Sequence, residues 1–410
     1  MMMKRLRDVS LLGIVLSIGV FLGGTCGGAL AEEKVKFRIG HLVHVTGAYA
    51  AGQAGLPEGF LDGIEAANTY MKIPGVVLEG FNIDGGTDTA RSMSAFKQMT
   101  EGNDAIVVMV GESTAMGIAL KTWNIRKQIP NVEGGSDVEF LKLPSYTFST
   151  VAPYVNQAGA WVDYYMSSIW PKKNLKRAPR FAWLTWDNPY GRAPITPQTI
   201  AYIKSKGIEI VDEEFIPSSP TDVGAQVLRM KEKGVDVTFG GMYHNALSVV
   251  LKEMDKYGMI DQIDIGMTYA INPESLLALA NDLARNVHIT SLFWDFPNWE
   301  KHAPRLLEYY QKRTTPVTKF GYIVGFDKAL VAAEAVRIAV ETVGPDKVNG
   351  EAVYNALQKM NGFDSWGIGP PHSFSATKRY GQDSVYVMRL NNNTVNFVAE
   401  QAAPNLTGVE

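Results

Sequence analysis

An α/β fold built on mostly parallel sheets is what this chain predicts, and three observations predict it. Short β-rich runs alternate with segments of helical periodicity along nearly the whole length. Most of the strand-like runs are continuously apolar, as burial on both faces of a parallel sheet requires. With 410 residues the chain exceeds what one hydrophobic core usually supports and suffices for two domains.

The strand-like runs are 36–42, 76–83, 105–110, 180–185, 208–215, 235–240 and 263–268, each ending near glycine, proline or a short polar loop. Helical spacing fills the gaps; Leu247, Val250, Leu251 and Met254 place four apolar side chains on one face. Two βα blocks result, 32–151 and 156–287, separated by the extended stretch LPSYTFSTVAP with prolines at both ends. Segments 300–312 and 323–343 read as helices and 380–398 as a hairpin, and all three are expected to return and complete the first two blocks. No repeat of solenoid length is present.

Lys4, Arg5 and Arg7 precede the apolar run 11–22, and small residues close on Ala29-Leu30-Ala31. That is the pattern of a secretory signal peptide over residues 1–31. Its apolar run is shorter than the ~20 residues of a membrane span, so the mature chain is expected to be exported without membrane insertion. Cys26, the single cysteine, follows Gly23-Gly24-Thr25, which argues against a lipid anchor there. Cleavage after Ala31 leaves no thiol, excluding disulfides and cysteine nucleophiles. A formal charge of −3 with no basic cluster gives no reason to expect nucleic acid or an anionic membrane as partner.

Ligands of open α/β sheets sit beyond the carboxyl ends of the strands, so the loops there are the places to search. In VVMVGESTAMG an apolar strand runs into a helix start where Ser113 and Thr114 would offer hydroxyls beside unpaired amides, an anion site or a plain helix cap. Gly111-Glu112-Ser113 also resembles the start of a Gly-x-Ser-x-Gly nucleophile elbow. A hydrolase would need one of His244, His288, His302 or His372 as base, and no HGGG-like loop exists. In NVEGGSD, Gly134 and Gly135 permit close backbone approach and Ser136 adds a hydroxyl. His41 and His44 lie three apart on a strand, hence on opposite faces, and read as structural or surface residues rather than metal ligands. IDGGTDTARS lacks the lysine of a P-loop, so Thr87 or Asp88 is expected to cap a helix. No cofactor is implied. In the second block, WDNPYGR, GGMYHN and GMTYAIN bring Trp186, Tyr190, Tyr243, Thr268 and Tyr269 to three strand ends, the aromatic wall of a cleft.

These residues carry a resemblance. FRIGHLVHVTGAYAAG, WDNPYGR, FGGMYHNA and WGIGPPHSFSATKRYG, in this order, resemble the branched-chain amino-acid-binding family of periplasmic solute-binding proteins of ABC transporters. The resemblance implies the type I fold: two doubly wound parallel-sheet lobes joined by three hinge crossings. The first lobe would hold 32–152 and about 293–377, the second 153–292 and about 378–410. It further implies a small-molecule ligand between the lobes and a membrane permease as partner. Ser113, Gly134 and Ser136 match a carboxylate clamp, Tyr190 and Tyr243 second-lobe contacts, and Tyr322 an aromatic at the pocket edge; Tyr49 lies near the first-lobe loop. Amino-acid binders carry an acid where this chain reads Gly266-Met267-Thr268-Tyr269, and Gly52 replaces a frequent aromatic. Asp187 or Glu112 could substitute for the acid, so an amino acid and a carboxylate lacking the amine both remain open, beside the hydrolase and a sensory module.

Overall fold

The computed structural model of the protein describes residues 34–102 and 104–408. The expected signal peptide and Cys26 lie outside them. Two sheets organise the chain. The first holds β1 (Val35–Val43), β2 (Val76–Asp84), β3 (Val108–Gly111), β4 (Asn131–Glu133) and β5 (Thr147–Ser149) in the order β2-β1-β3-β4-β5, all parallel. The second holds β6 (Arg180–Trp186), β7 (Glu209–Ile216), β8 (Val237–Gly240), β9 (Asp264–Thr268), β10 (Val287–Ser291), β11 (Ser384–Asn391) and β12 (Thr394–Ala402). Its order is β12-β11-β10-β9-β8-β6-β7, parallel except where β11 and β12 join.

Both sheets therefore repeat one winding, the second strand outside the first and the third on its other side. Strand order reverses between β1 and β3 and again between β6 and β8, and such switch points open a crevice at the carboxyl ends. Helices fill the crossovers, among them Leu56–Tyr70, Thr89–Thr100 and Thr114–Lys127 in the first half and His244–Lys256 and Pro273–Ala280 in the second. Asp88 caps Thr89–Thr100, its Oδ1 accepting from the Arg91 amide at 2.7 Å.

Three strands escape the sequence patterns. β4 and β5 have three residues each, too few for any periodicity to register, and β5 lies inside the stretch read as a linker. β10 lies at the end of the second block, over residues that no strand pattern marked. The helix expected over 300–312 breaks at Ala303, because Pro304 has no N–H to continue it. The hairpin forms as expected, turning through Asn392 and Asn393 at φ 49° and 57°, the left-handed pair of a two-residue turn.

Helix Lys319–Val343 is buried along most of its length and packs on Leu56–Tyr70. A Cβ on Gly325 would sit 2.2 Å from the Leu56 carbonyl oxygen, so only glycine permits this approach. That depth carries Lys328, fully buried, to the carboxyl end of the first sheet.

Candidate functional site

At the carboxyl end of β3 the chain turns through Glu112 into helix Thr114–Lys127. Ser113 is its N-cap, its Oγ accepting from the Met116 amide at 3.4 Å. The Ser113 amide is not left to a ligand. It donates to Glu133 Oε1 at 2.9 Å, which also accepts from Gly135 at 3.0 Å, while Oε2 accepts from Asn131 Nδ2 at 2.9 Å. The buried Glu133 thus fills part of the anion position that the sequence offered. Register is the cause: β3 and β4 pair Gly111 with Glu133, which aims that side chain at the start of the next helix.

Burial pushes the Glu133 carboxyl up to about 7, with the Gly135 amide and Asn131 opposing the rise. Folded protein therefore keeps this proton up to about pH 7, whereas the unfolded chain releases it near 4.5. The resulting stability is present at low pH and is lost as pH rises through that window, by about 3 kcal/mol. Glu133→Gln is expected to gain roughly that amount relative to the unaltered protein between pH 4.5 and 7 in urea titrations. An identical pH dependence of the two proteins would refute it.

Glu112 is buried and shared. Its Oε1 meets His41 Nε2 at 3.1 Å and its Oε2 pairs with Lys328 Nζ. Burial alone would raise its carboxyl; the Lys328 charge and His41 more than cancel this and hold it below the ordinary range. Gly134 sits against the pair, a Cβ there falling 2.2 Å from Lys328 Nζ. His41 and His44 are both fully buried, so the surface alternative is excluded; His44 Nδ1 accepts from the Thr87 amide at 3.1 Å.

A cavity of about 30 Å³ lies between the two sheets' carboxyl ends, lined by Tyr49, Glu112, Ser113, Thr114, Gly135, Tyr154, Tyr190, Tyr243, Tyr269 and Ala270. It has room for roughly one water. The second-sheet loops supply Tyr190, Tyr243 and Tyr269, which pack on the first-half ring of Tyr49 and on Tyr154. The Tyr49 and Tyr243 centroids are 6.1 Å apart, those of Tyr154 and Tyr190 5.2 Å, and Tyr154 stacks on Tyr269 at 6.4 Å. The Tyr269 hydroxyl donates to the Gly134 carbonyl, tying the two halves together. Burial raises the phenols of Tyr190, Tyr243 and Tyr269, so each stays a neutral donor.

Eight of the residues singled out from the sequence therefore line the cavity: Tyr49, Glu112, Ser113, Thr114, Gly135, Tyr190, Tyr243 and Tyr269. Four stand just behind it. Gly134 receives the Tyr269 bond, Ser136 Oγ donates to the Val151 carbonyl, Trp186 stacks on Tyr49 at 6.3 Å, and Thr268 Oγ1 bonds the Tyr190 hydroxyl at 2.5 Å. Tyr322 is elsewhere. Its hydroxyl donates to Asp62 Oδ2 at 2.7 Å and its ring packs on Tyr310 and Phe326, because the inward turn of its helix buries it in the core. Asp187 is also outside, paired with Arg192 at 2.7 Å. Among the described residues no histidine hydrogen-bonds Ser113, and no cluster of metal-ligating side chains occurs.

Tyr154 and Ala270 were missed, and so were Lys328 and Gln53, whose Nε2 donates to the Glu112 carbonyl at 2.8 Å. One signal was available: an Asp-Lys pair inside the apolar run VGFDKALVAAEAV, where a charge must find a buried partner.

The sequence matches the family described as periplasmic binding protein over residues 36–394. The chain belongs to the periplasmic binding protein family. Solved structures with the same fold include a branched-chain amino acid ABC transporter protein from Thermus thermophilus with bound valine. It is 21% identical, with a TM-score of 0.81 over 91% of this chain and 98% of that one. A fatty acid ABC transporter substrate-binding protein from Thermomonospora curvata is 18% identical, TM-score 0.75, over 91% and 93%. A leucine binding protein from Thermotoga maritima is 15% identical, TM-score 0.73, over 89% and 99%. No curated protein matches the sequence. Among the described residues of this periplasmic binding protein, no helix is long and apolar enough to cross a membrane.

Proposed function

We propose that the chain is the exported receptor of an ABC importer, that residues 1–31 direct its export, and that it carries a small organic acid to a membrane permease. The observation that supports this reading most is the cavity between the two sheets' carboxyl ends, walled by a helix start from one and three strand-end tyrosines from the other. Lobes hinged near residues 152, 292 and 377 would open this cavity for entry and close on the solute.

The acid lacks an α-ammonium. Thr268, at the position where amino-acid binders of the resembled family carry an acid, is bonded to Tyr190, and both oxygens of Glu112 are engaged by His41 and Lys328. A buried ammonium would find no free carboxylate, and an unpaired buried charge is costly. Phenol hydroxyls of Tyr49 and Tyr243 and the Thr114 side chain are the groups that would donate to or orient the acid.

A thermal-unfolding screen of aromatic monocarboxylates, medium-chain fatty acids and branched-chain amino acids tests this. A ligand at 100 times its dissociation constant adds about 2.7 kcal/mol of stability. Aromatic or aliphatic acids are expected to stabilise the protein and the amino acids not to. Stabilisation by amino acids alone would overturn the ligand class; silence across all three would overturn the receptor reading.

A further inference from the structure

A second cavity, of about 220 Å³, shares the side chain of Tyr269 with the first. Six aromatic side chains wall it: Tyr269, Phe293, Trp294, Phe296, Trp299 and Phe320. It is built from both halves of the chain. Helix Pro273–Ala280, β10, the turn after β11 and helix Lys319–Val343 all contribute to its lining. Trp294, Phe296 and Phe320 remain half-buried although their neighbours are core residues, so their rings have surface still available to a ligand.

The charged groups at the rim fix the ligand's character. Lys319 is paired with Glu274 at 3.0 Å and lies 4.1 Å above the Phe296 ring, so its charge is already answered. Asp295 is the remaining acid, its Oδ1 accepting from Asn298 Nδ2 at 2.7 Å, and Ser291 Oγ is spent on the Phe293 carbonyl at 2.8 Å. The charged lining therefore leaves Asp295 Oδ2 as a carboxyl acceptor and no free cation. An organic anion is disfavoured there, and a neutral ring bearing a hydrogen-bond donor fits. An apolar cavity of roughly 150 Å³ suffices for benzene, which sets the size at a single substituted ring.

We propose that this chamber is a second binding site, for a neutral monocyclic aromatic carrying one hydroxyl group, a phenol. Tyr269 is a wall of both cavities, so the phenol bears on the side chain that also closes the cleft. The site is separate from the cleft and does not depend on the identity of the transported acid.

Crystals of the full mature chain soaked with 4-bromophenol test it, the anomalous signal of bromine reporting position. In solution, quenching of tryptophan fluorescence by the same compound is expected to saturate with a Kd below about 1 mM. Bromine should lie among Trp294, Phe296 and Phe320. Leu277→Trp and, as an independent filling variant, Ile323→Phe should each weaken binding at least about tenfold. Gly52→Ala, which narrows the cleft, should leave it unchanged. Bromine among the cleft tyrosines, or loss of binding in Gly52→Ala, would make phenol a cleft ligand and overturn the second site while leaving the receptor reading intact. Absence of saturable quenching overturns it too. So does concentration-dependent dimerisation that Leu277→Trp abolishes without bromine in the chamber, since the occupant would then be a second copy.

Discussion

Lys328→Met is expected to destabilise the protein by about 3–5 kcal/mol, among the largest effects of any single substitution in it. Lys328 is fully buried, and its ammonium is the one full charge paired with Glu112 Oε2. Removing it leaves a carboxylate in the interior with only His41 beside it. The buried acid can escape by taking up a proton, and this gives the effect a pH signature. Without Lys328, burial is expected to push the Glu112 carboxyl above its unfolded value of 4.5, so stability is retained in acid and lost as pH rises past about 4.5. Urea titrations should accordingly show a larger deficit at pH 8 than at pH 5. Glu112→Gln in the same molecule removes the charge itself, and the double variant should recover most of the loss. Equal instability of the single and double variants at both pH values would mean that Lys328 acts through packing of its stem and not through its charge.

Gly52→Ala should cost at least about tenfold in solute affinity and destabilise the protein by about 1–3 kcal/mol. Gly52 lies in the short helix Ala50–Gln53, where alanine is the better helix former by roughly 0.5–1 kcal/mol. Sterically the same methyl is refused, since a Cβ would fall 2.2 Å from the Tyr243 ring. That ring can retreat only into the cavity. Trp186 is 4.8 Å from it, with Tyr49 and Tyr190 each 6.1 Å away, and the remaining free space is the cavity. Calorimetric titration with the acid identified by the thermal screen measures the change. Undiminished affinity would show that Tyr243 has another way to move and does not set the size of the site.

The position of Gly52 illustrates how far the sequence could be read. A glycine where relatives of the resembled family carry an aromatic reads as a missing contact. In the folded chain Tyr243, arriving from the other half, fills that space. Tyr322 illustrates the opposite: a tyrosine at a plausible position whose hydroxyl is claimed by Asp62, 260 residues away in sequence. Position in a motif gives a side chain's neighbourhood but not its partner. Thr268 likewise keeps its place at a strand end, yet spends its hydroxyl on Tyr190.

Local chemistry determined what the sequence alone made legible. Apolar runs and helical spacing follow from burial on two faces and from the 3.6-residue turn, so the longer strands, the two blocks, the closing hairpin and the tyrosines at β6, β8 and β9 could be read residue by residue. Tertiary structure alone decided who occupies the helix start at Ser113, because the pairing of Gly111 with Glu133 brings together residues that no periodicity connects. It also decided that Lys328, on a helix far along the chain, would neutralise Glu112. A buried charge must be answered by whichever group the fold delivers within a few ångströms, and that distance is a property of the packed chain.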